Sequence, residues 1–514
     1  MREPLTTAVT GEMALPEVAV AGEAKTPTED ASTVAGVASL DRSFMRSLAW
    51  TGGAKWTGQI VAWGCTIVVA RILSPEDYGI VGLANVFLGL VTLLSEFGIG
   101  GAVIAMRKLS GDQVQQLNTV AVASGIACFA LTSALAIPLS IFFDHPELAA
   151  VVVVLSTGFV IAGFRTVPDA ILQKDLDFRR LALIEAVQAL LLAAGTLTFA
   201  FLGFRYWTLV LATLIGSLYA TVVAVSMRPY GFTRPNLSSI REALTFGRQL
   251  VVTRLAWYTY SNADFLVVGR ILGARALGYY NIAWSLASVP VGKISTLLLR
   301  VTPAYFSAVQ DNPAQLRRYL LSGTEGLALL TFPAALALAL VADDFVPLVM
   351  GPQWIDAVAP LRLLAIYASL RSITPLLPQI LSVRGDNRYN MRNTVLGAIV
   401  LPVAFVIGAR WGTVGIAVSW MVVHPFLLLP VFLRVCKRID LRAMDYASAL
   451  GPAMVGCLCL AAIVLGVRAL MPENGSLAVR FAVESAAGAA AYAGVILFLY
   501  RDRLKAFQTM ARGL

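Results

Sequence analysis

Long apolar runs separated by short polar loops make up almost the whole chain after Ser47. Fourteen runs are long enough to cross a bilayer, because a spanning helix needs about 20 mainly apolar residues. They cover residues 49–72, 80–98, 118–143, 148–171, 181–203, 207–227, 249–272, 277–299, 319–342, 357–381, 391–409, 413–433, 447–469 and 477–500. The pattern therefore predicts an all-α polytopic membrane protein whose function lies within the membrane or at its faces.

The composition also indicates a membrane protein, and it excludes a set of soluble domains. The 514 residues are 58% hydrophobic and 14% charged, whereas soluble domains carry about 25% charged residues. The net charge of +10 would suggest a nucleic-acid partner in a soluble protein. Here the basic residues lie in short loops between apolar runs, so we expect the bilayer and not a nucleic acid to be the partner.

The orientation follows from the distribution of Lys and Arg over alternate loops. With the N-terminus inside, 25 of these residues fall on the inner side and its termini, and 7 on the outer side. This split predicts an even number of helices with both termini cytoplasmic. Residues 1–46 are rich in Thr, Pro, Ala and Gly and lack the apolar core of a signal peptide, which favours a disordered cytoplasmic tail.

An internal repeat divides the spans. A shift of 199 residues places Arg71 and Gly79 over Arg270 and Gly278, within a 17-residue window that contains seven identities. We interpret the repeat as two parallel six-helix lobes around a central cavity, an arrangement common in secondary transporters. The predicted units are an N-terminal lobe at 47–228, a C-terminal lobe at 229–434, and two additional helices with a short cytoplasmic C-terminus at 435–514.

Four cations are predicted inside the membrane at similar depth. They are Lys55, Arg254, Lys293 and Arg371, and the first two coincide under the same shift. At 1.5 Å per residue, Lys55 lies about 24 Å from the outer end of its helix. If they face the space between the lobes, they form an electropositive cavity for a phosphate or pyrophosphate. The alternative is that each side chain extends to the inner interface.

Three acids also fall within predicted spans, namely Glu185, Asp264 and Glu325. They could neutralise the cations or bind a coupling H⁺ or Na⁺, since ionisable groups in the membrane face a partner or a wet cavity. His424, which precedes Pro425, is interpreted as a neighbour of a helix kink.

Aromatic residues of the eighth span offer a sugar-binding surface. Tyr279, Tyr280 and Trp284 could line the path of a sugar, and packing would explain them equally well.

The sequence contains no sign of an enzyme. The phosphate-binding loop of ATPases is missing, and no long loop is available to carry catalytic groups. Asp343 and Asp344 form the only dense acid pair outside the spans, and we expect them on a solvated loop. The five cysteines have no metal-binding spacing, so neither a cofactor nor a metal site is predicted.

Five segments resemble the polysaccharide-transporter branch of the multidrug/oligosaccharidyl-lipid/polysaccharide flippase superfamily. They are residues 71–79 (RILSPEDYG), 96–100 (EFGIG), 171–179 (ILQKDLDFR), 277–281 (LGYYN) with Pro290 and Pro303, and 346–354 (VPLVMGPQW). The resemblance spans residues 45–435.

This resemblance implies a bacterial inner-membrane protein that moves an undecaprenyl-pyrophosphate-linked oligosaccharide from the cytoplasmic to the periplasmic leaflet by alternating access. The pathway could be that of lipopolysaccharide, capsule or exopolysaccharide, and a polymerase or export complex is a possible partner. The resemblance also implies a cationic cavity for the lipid pyrophosphate, for which the four cations above are the candidates. Three alternatives stay open: a cation-coupled small-molecule exporter of the same superfamily, a membrane enzyme that joins sugars, and a scaffold.

Overall fold

The computed structural model describes residues 64–95, 99–106, 109–236, 258, 261–472 and 476–500. This part of the chain is helical and contains no β-strand. The all-α prediction is therefore confirmed. The predicted tail at 1–46 lies outside the described residues.

Sixteen α-helices, two of them described only in part, follow one another along the described chain. They are α1 (64–72), α2 (Pro75–Ser95), α3 (Ile99–Ala105), α4 (Gly111–Phe143), α5 (Glu147–Lys174), α6 (Phe178–Phe201), α7 (Trp207–Met227), α8 (261–267), α9 (Gly273–Ala308), α10 (Pro313–Val349), α11 (Val358–Ile373), α12 (Leu376–Val383), α13 (Asn387–Gly408), α14 (Gly412–Arg438), α15 (Ala443–Leu470) and α16 (Leu477–Leu499). A π turn (Val268–Leu272) joins α8 to α9, and 3₁₀ turns lie at Pro352–Ala357 and Ala409–Trp411.

Every predicted span overlaps one of these helices. Two elements differ from the prediction: α3 is an additional short helix, and the predicted span 357–381 is divided into α11 and α12. The division falls at Pro375, which has no backbone N–H to continue the helix. Eight helical stretches in the described residues are long and apolar enough to cross a membrane.

Side chains fix the starts of several helices. Ser110 and Gln113 form a reciprocal capping box at α4. At α10, Asn312 accepts hydrogen bonds from two backbone N–H groups, and Pro313 follows in the first turn. These residues satisfy helix N–H groups that have no partner within the helix. The polar loops thus set where the apolar helices begin.

The helices pack in two groups, which follow the order of the predicted lobes. Helix α5 packs against α2, α3, α4 and α7, while α9, α10 and α11 pack against one another and α14 against α11 and α13. The most extensive contact between the groups joins α2 to α9. Helix α15 packs on α10 and α16.

The segment that follows α7 is fastened to the start of α4. The Thr119 hydroxyl donates to the Thr233 carbonyl (2.9 Å) and accepts from the Thr233 backbone N–H (3.1 Å). The Thr233 hydroxyl donates to Gln115 (2.7 Å), and the Asn236 N–H donates to Gln116 (3.0 Å). The beginning of the segment after α7 is therefore attached to α4 by both its backbone and its side chains.

Ion pairs join the last helix to α10 at the end that the predicted orientation places outside, here called the outer end. Asp344 is fully buried and pairs with Arg480 of α16. Arg468 of α15 pairs with the fully buried Glu484 (2.7 Å) and with Asp343 (3.5 Å). The prediction of a solvated loop at Asp343–Asp344 is therefore wrong. Both acids lie within α10. Asp344 pairs with Arg480, 136 residues later, whereas Asp343 pairs with Arg362 of α11 as well as with Arg468, 125 residues later.

Candidate functional site

Motif residues close the outer end between the two helix groups. Arg71 Nε donates to the Val349 carbonyl (2.9 Å), and the Trp354 indole N–H donates to the Ala70 carbonyl (2.8 Å). The ring of Tyr78 packs edge-on against Trp354. Segments 71–79 and 346–354, which were recognised separately in the sequence, thus form one contact.

Two glycines bring α2 and α9 into direct backbone contact. A Cβ atom at Gly79 would overlap the Ala274 carbonyl, and a Cβ atom at Gly278 would overlap the Pro75 carbonyl. The two contacts are equivalent under the 199-residue shift, since positions 75 and 79 map onto 274 and 278. The repeat therefore meets its own copy at this crossing.

A buried carboxylate lies at the end of α8, four residues before the π turn. Asp264 is 0% exposed, and its Oδ2 accepts from the Tyr280 hydroxyl (2.8 Å) and the Trp420 indole N–H (2.9 Å). Within the described chain, no side-chain donor reaches Oδ1 and no Lys or Arg pairs with this acid. Tyr280 is also fully buried, so it holds Asp264 and does not line a sugar path.

Aromatic rings surround this acid. The set, called here the aromatic cluster, consists of Phe265, Tyr280, Trp284, Tyr367, Phe405, Trp420 and His424. Tyr367 and Trp420 stack with centroids 5.2 Å apart, and Trp284 lies 5.7 Å from Trp420. His424 packs edge-on against Tyr367. Residues from α8, α9, α11, α13 and α14 therefore meet around Asp264.

Arg371 lies at the edge of the aromatic cluster. Its guanidinium carbon is 5.0 Å from the centroid of Trp284, and Nη1 is 3.4 Å from the Ser288 hydroxyl. The side chain is exposed, although it lies about 20 Å along α11 from the outer end at Val358. Both contacts are with neutral groups, and among the described residues no acid forms a salt bridge with Arg371.

Of the other three predicted cations, the structure describes only Lys293. Lys293 is exposed on α9, five residues after the Ser288 that Arg371 reaches. Five residues correspond to about 7.5 Å along a helix. Lys55 and Arg254 lie outside the described residues. The structure thus associates Arg371 and Lys293 with the same stretch of α9, and the four-cation cavity stays a prediction.

The remaining predicted acids lie apart from Asp264. Glu185 is exposed on α6, within electrostatic range of Asp169. Glu325 lines a groove between α10 and α15. The three acids therefore belong to three different places in the fold.

Sequence reasoning missed a second polar group, in the N-terminal helices. Arg165 Nε is 2.6 Å from Asp169 Oδ2, and Nη1 donates to the Gln188 amide oxygen (3.0 Å). All three lie within helices that are apolar enough to cross a membrane. Their spacing of four residues on α5, at Arg165 and Asp169, was a signal that could have been found, since it places both on one helix face.

Comparisons with known proteins find similarity to proteins of polysaccharide biosynthesis and transport. A family model described as polysaccharide biosynthesis protein matches residues 68–359. The lipopolysaccharide biosynthesis protein WzxC of Escherichia coli is 28% identical over 386 residues, 72% of this chain and 78% of that protein. The succinoglycan biosynthesis transport protein ExoT of Rhizobium meliloti is 23% identical over 501 residues, 95% of this chain and 97% of that protein.

A solved structure shares the fold. The lipid II flippase MurJ in an inward closed conformation aligns with a TM-score of 0.69 over 88% of this chain and 99% of that chain. The sequences are 14% identical, so the likeness concerns the fold alone.

Proposed function

The chain belongs to the polysaccharide biosynthesis protein family, as the five motifs suggest, and we propose that it is a flippase for a lipid-linked oligosaccharide. The substrate is an oligosaccharide on undecaprenyl pyrophosphate, carried from the cytoplasmic to the periplasmic leaflet. The protein is a multi-pass membrane protein. We place it in the bacterial inner membrane with both termini in the cytoplasm, acting as a transporter and not as an enzyme.

The observation that carries this proposal is the exposed guanidinium of Arg371 on α11, inside the predicted span 357–381. An unneutralised charge at this depth costs about 2.5–3.5 kcal/mol on insertion scales, so a wet cavity or an anionic ligand must compensate for it. Arginine binds phosphate oxygens through paired, charge-assisted hydrogen bonds. Trp284 holds the guanidinium from one side and the Ser288 hydroxyl accepts from Nη1, and we propose that the other N–H groups bind the pyrophosphate.

The closed outer end supports the direction of transport. Arg71, Trp354 and the crossing at Gly79 and Gly278 join the helix groups there. In this state we propose that the pyrophosphate enters from the cytoplasmic side, where Lys293 and Arg371 receive it. The prenyl chain stays in the surrounding lipid while the two groups rock against each other and separate at the outer end.

Asp264 is proposed as the coupling site, with H⁺ as the coupling ion. A metal cation such as Na⁺ is bound by oxygen lone pairs, but the two side chains on Oδ2 are an O–H and an indole N–H, both of which donate. Such donors suit a carboxylate that gains and loses a proton. Because Trp284 contacts Tyr280, Trp420 and Arg371, a change at Asp264 can reach the substrate cation through this one ring.

The test follows lipid-linked repeat units in cells that lack the gene, with a sugar label that reaches only the outer leaflet. Complete units that accumulate out of reach of the label, and reach it again when the gene is restored, are the expected result. Units that reach the label but stay unpolymerised would instead indicate an enzyme or a scaffold. No accumulation, together with lost drug efflux, would indicate a small-molecule exporter.

A further inference from the structure

A tyrosine joins the two helix groups well below the outer end. The hydroxyl of Tyr258, three residues before α8, donates to the Val86 carbonyl of α2 (2.8 Å). Its ring lies on Gly89, where an added Cβ atom would overlap the hydroxyl oxygen and the adjoining ring carbons. Among the described residues, this is the hydrogen bond between the two groups that lies furthest from the outer end. The absence of a side chain at Gly89 thus provides the space in which Tyr258 is seated.

The contact lies at the depth of the proposed substrate arginine. Gly89 is fourteen residues from Pro75 at the outer end of α2, which corresponds to about 21 Å along the helix. Arg371 lies about 20 Å along α11 from its outer end. The 199-residue shift also maps Gly89 onto Ser288, the residue that Arg371 contacts. Tyr258 and Arg371 therefore contact equivalent positions of the two repeats.

The bond between Tyr258 and Val86 can break without leaving a backbone group unpaired. Val86 lies in the interior of α2, so its carbonyl also accepts from the N–H four residues later in the helix. The phenol hydroxyl can donate to water once the path is wet. A buried ion pair such as that of Asp344 and Arg480 differs, because its separation leaves a charge unpaired. The tyrosine contact therefore suits a seal that forms and breaks repeatedly.

We infer that Tyr258 is a gate residue of the transport path, an inference that rests on the proposed flippase function. While its ring is seated on Gly89, it ties the start of α8 to α2 at the depth from which a headgroup bound to Arg371 moves outward. The path is then closed at two levels, at the crossing of Gly79 and Gly278 and at Tyr258. Both contacts must separate before the headgroup leaves.

The first experiment measures on which side of the membrane the path is open. A cysteine introduced as Ser288→Cys, in a background without the five native cysteines, is labelled with a membrane-impermeant thiol reagent in spheroplasts and in inverted vesicles. Each rate is expressed relative to labelling of the denatured protein. We expect Tyr258→Phe to raise periplasmic labelling about 2- to 10-fold, the factor for one net hydrogen bond, without raising cytoplasmic labelling. A rise on both sides would indicate loosened packing and would overturn the inference.

A double-variant cycle then tests the contact itself. Gly89→Ala places a methyl group against the tyrosine ring and should also raise periplasmic labelling. Gly466→Ala is the matched control, because a Cβ atom there meets no atom within 4 Å, and its labelling should equal that of the wild type. In Tyr258→Ala the ring is absent, so the addition of Gly89→Ala should cause no further increase. Independent effects of the two substitutions would show that Tyr258 and Gly89 do not close the path together.

Export of lipid-linked repeat units separates this inference from the proposed function. If the units are trapped in cells without the gene but the Tyr258 variants are labelled as the wild type is, the flippase function is supported and the gate is refuted. If labelling changes as expected while the units reach the outer leaflet without the gene, the gate is confirmed for a different cargo and the flippase function is refuted.

Discussion

Gly79 and Gly278 each face the backbone of the other's helix, because a Cβ atom at either position would overlap a carbonyl group across the crossing of α2 and α9. The overlap involves backbone atoms, which cannot rotate away as a side chain can. Close approach at the outer end therefore requires glycine at both positions.

The first prediction concerns this crossing. Gly79→Val should hold the outer end open, so that a cysteine introduced as Ser288→Cys becomes accessible from the periplasm and export falls. A membrane-impermeant thiol reagent measures this, in a background without the five native cysteines. Gly494→Val is the control, since a Cβ there meets no atom within 4 Å. Unchanged labelling in Gly79→Val would show that the crossing does not close the path.

The second prediction concerns the substrate cation. Arg371→Gln removes a charge-assisted interaction worth about 1.5–3 kcal/mol, which is about a 10- to 150-fold loss of affinity for the lipid pyrophosphate. Arg371→Lys should retain part of it, because it keeps the charge and loses the planar fork. Binding of the lipid pyrophosphate to purified protein measures the effect. Arg410→Gln, at an exposed outer position, should bind as the wild type does, and equal loss in both variants would refute a specific site.

The third prediction concerns coupling. Asp264→Asn keeps an oxygen for Tyr280 and Trp420 but cannot take up a proton, so the chain should fold while transport no longer responds to a pH gradient. Asp264→Ala should also lower stability, since each buried donor left unpaired costs about 1–3 kcal/mol. Transport into proteoliposomes under an imposed H⁺ or Na⁺ gradient shows which ion drives the wild type and whether Asp264→Asn has lost the response. Asp311→Asn, at an exposed position, is the control. Stimulation of the wild type by Na⁺ alone would exclude a proton site.

How much of this fold the sequence predicts depends on how far apart in the chain the interacting residues lie. Apolar runs and Lys/Arg counts predict all fourteen spans because each span is a local property of about 20 residues. The 199-residue repeat likewise predicts equivalent positions for Gly79 and Gly278. Neither pattern indicates that these glycines touch, since contact depends on how the helices cross.

The site is predictable only in part, for the same reason. Arg371 and Asp264 stand out as charges in apolar runs, but nothing local connects them through Trp284. The sequence allows Tyr280 to line a sugar path, whereas in the structure its hydroxyl donates to Asp264. The local sequence predicts a solvated loop at Asp344 because its partner, Arg480, is 136 residues away.

The fourth prediction concerns pH and lies outside the spanning segments. Hydrogen bonds from Arg438 and Arg434 lower the pKa of Asp386 to about 2. Because the unfolded chain has a pKa near 3.8, the stabilisation is complete above about pH 4 and is lost as the pH falls toward 2. Thermal unfolding of the wild type and Asp386→Asn should therefore differ at neutral pH and converge in acid. Parallel curves throughout would contradict the assignment.

The fifth prediction concerns the buried pair at the outer end. Arg480→Ala leaves Asp344 buried without its partner and should cost about 3–5 kcal/mol. Asp344→Asn combined with Arg480→Ala should be less destabilising than Arg480→Ala alone, because no unpaired charge remains. Thermal unfolding in detergent, with Arg410→Ala as the control, measures the difference. Additive losses in the double variant would show that the two residues act independently.

That pair also sets an order on biosynthesis. Asp344 is translated 136 residues before Arg480, and at about 5–20 residues per second its partner follows about 7–27 s later. Throughout that interval Asp344 lacks its salt-bridge partner, and Arg468 in turn awaits Glu484 on the same final helix. The outer part of α10 can reach its native packing only when the last helix has been inserted. A chain that ends before this helix therefore keeps Asp344 and Arg468 without their salt-bridge partners.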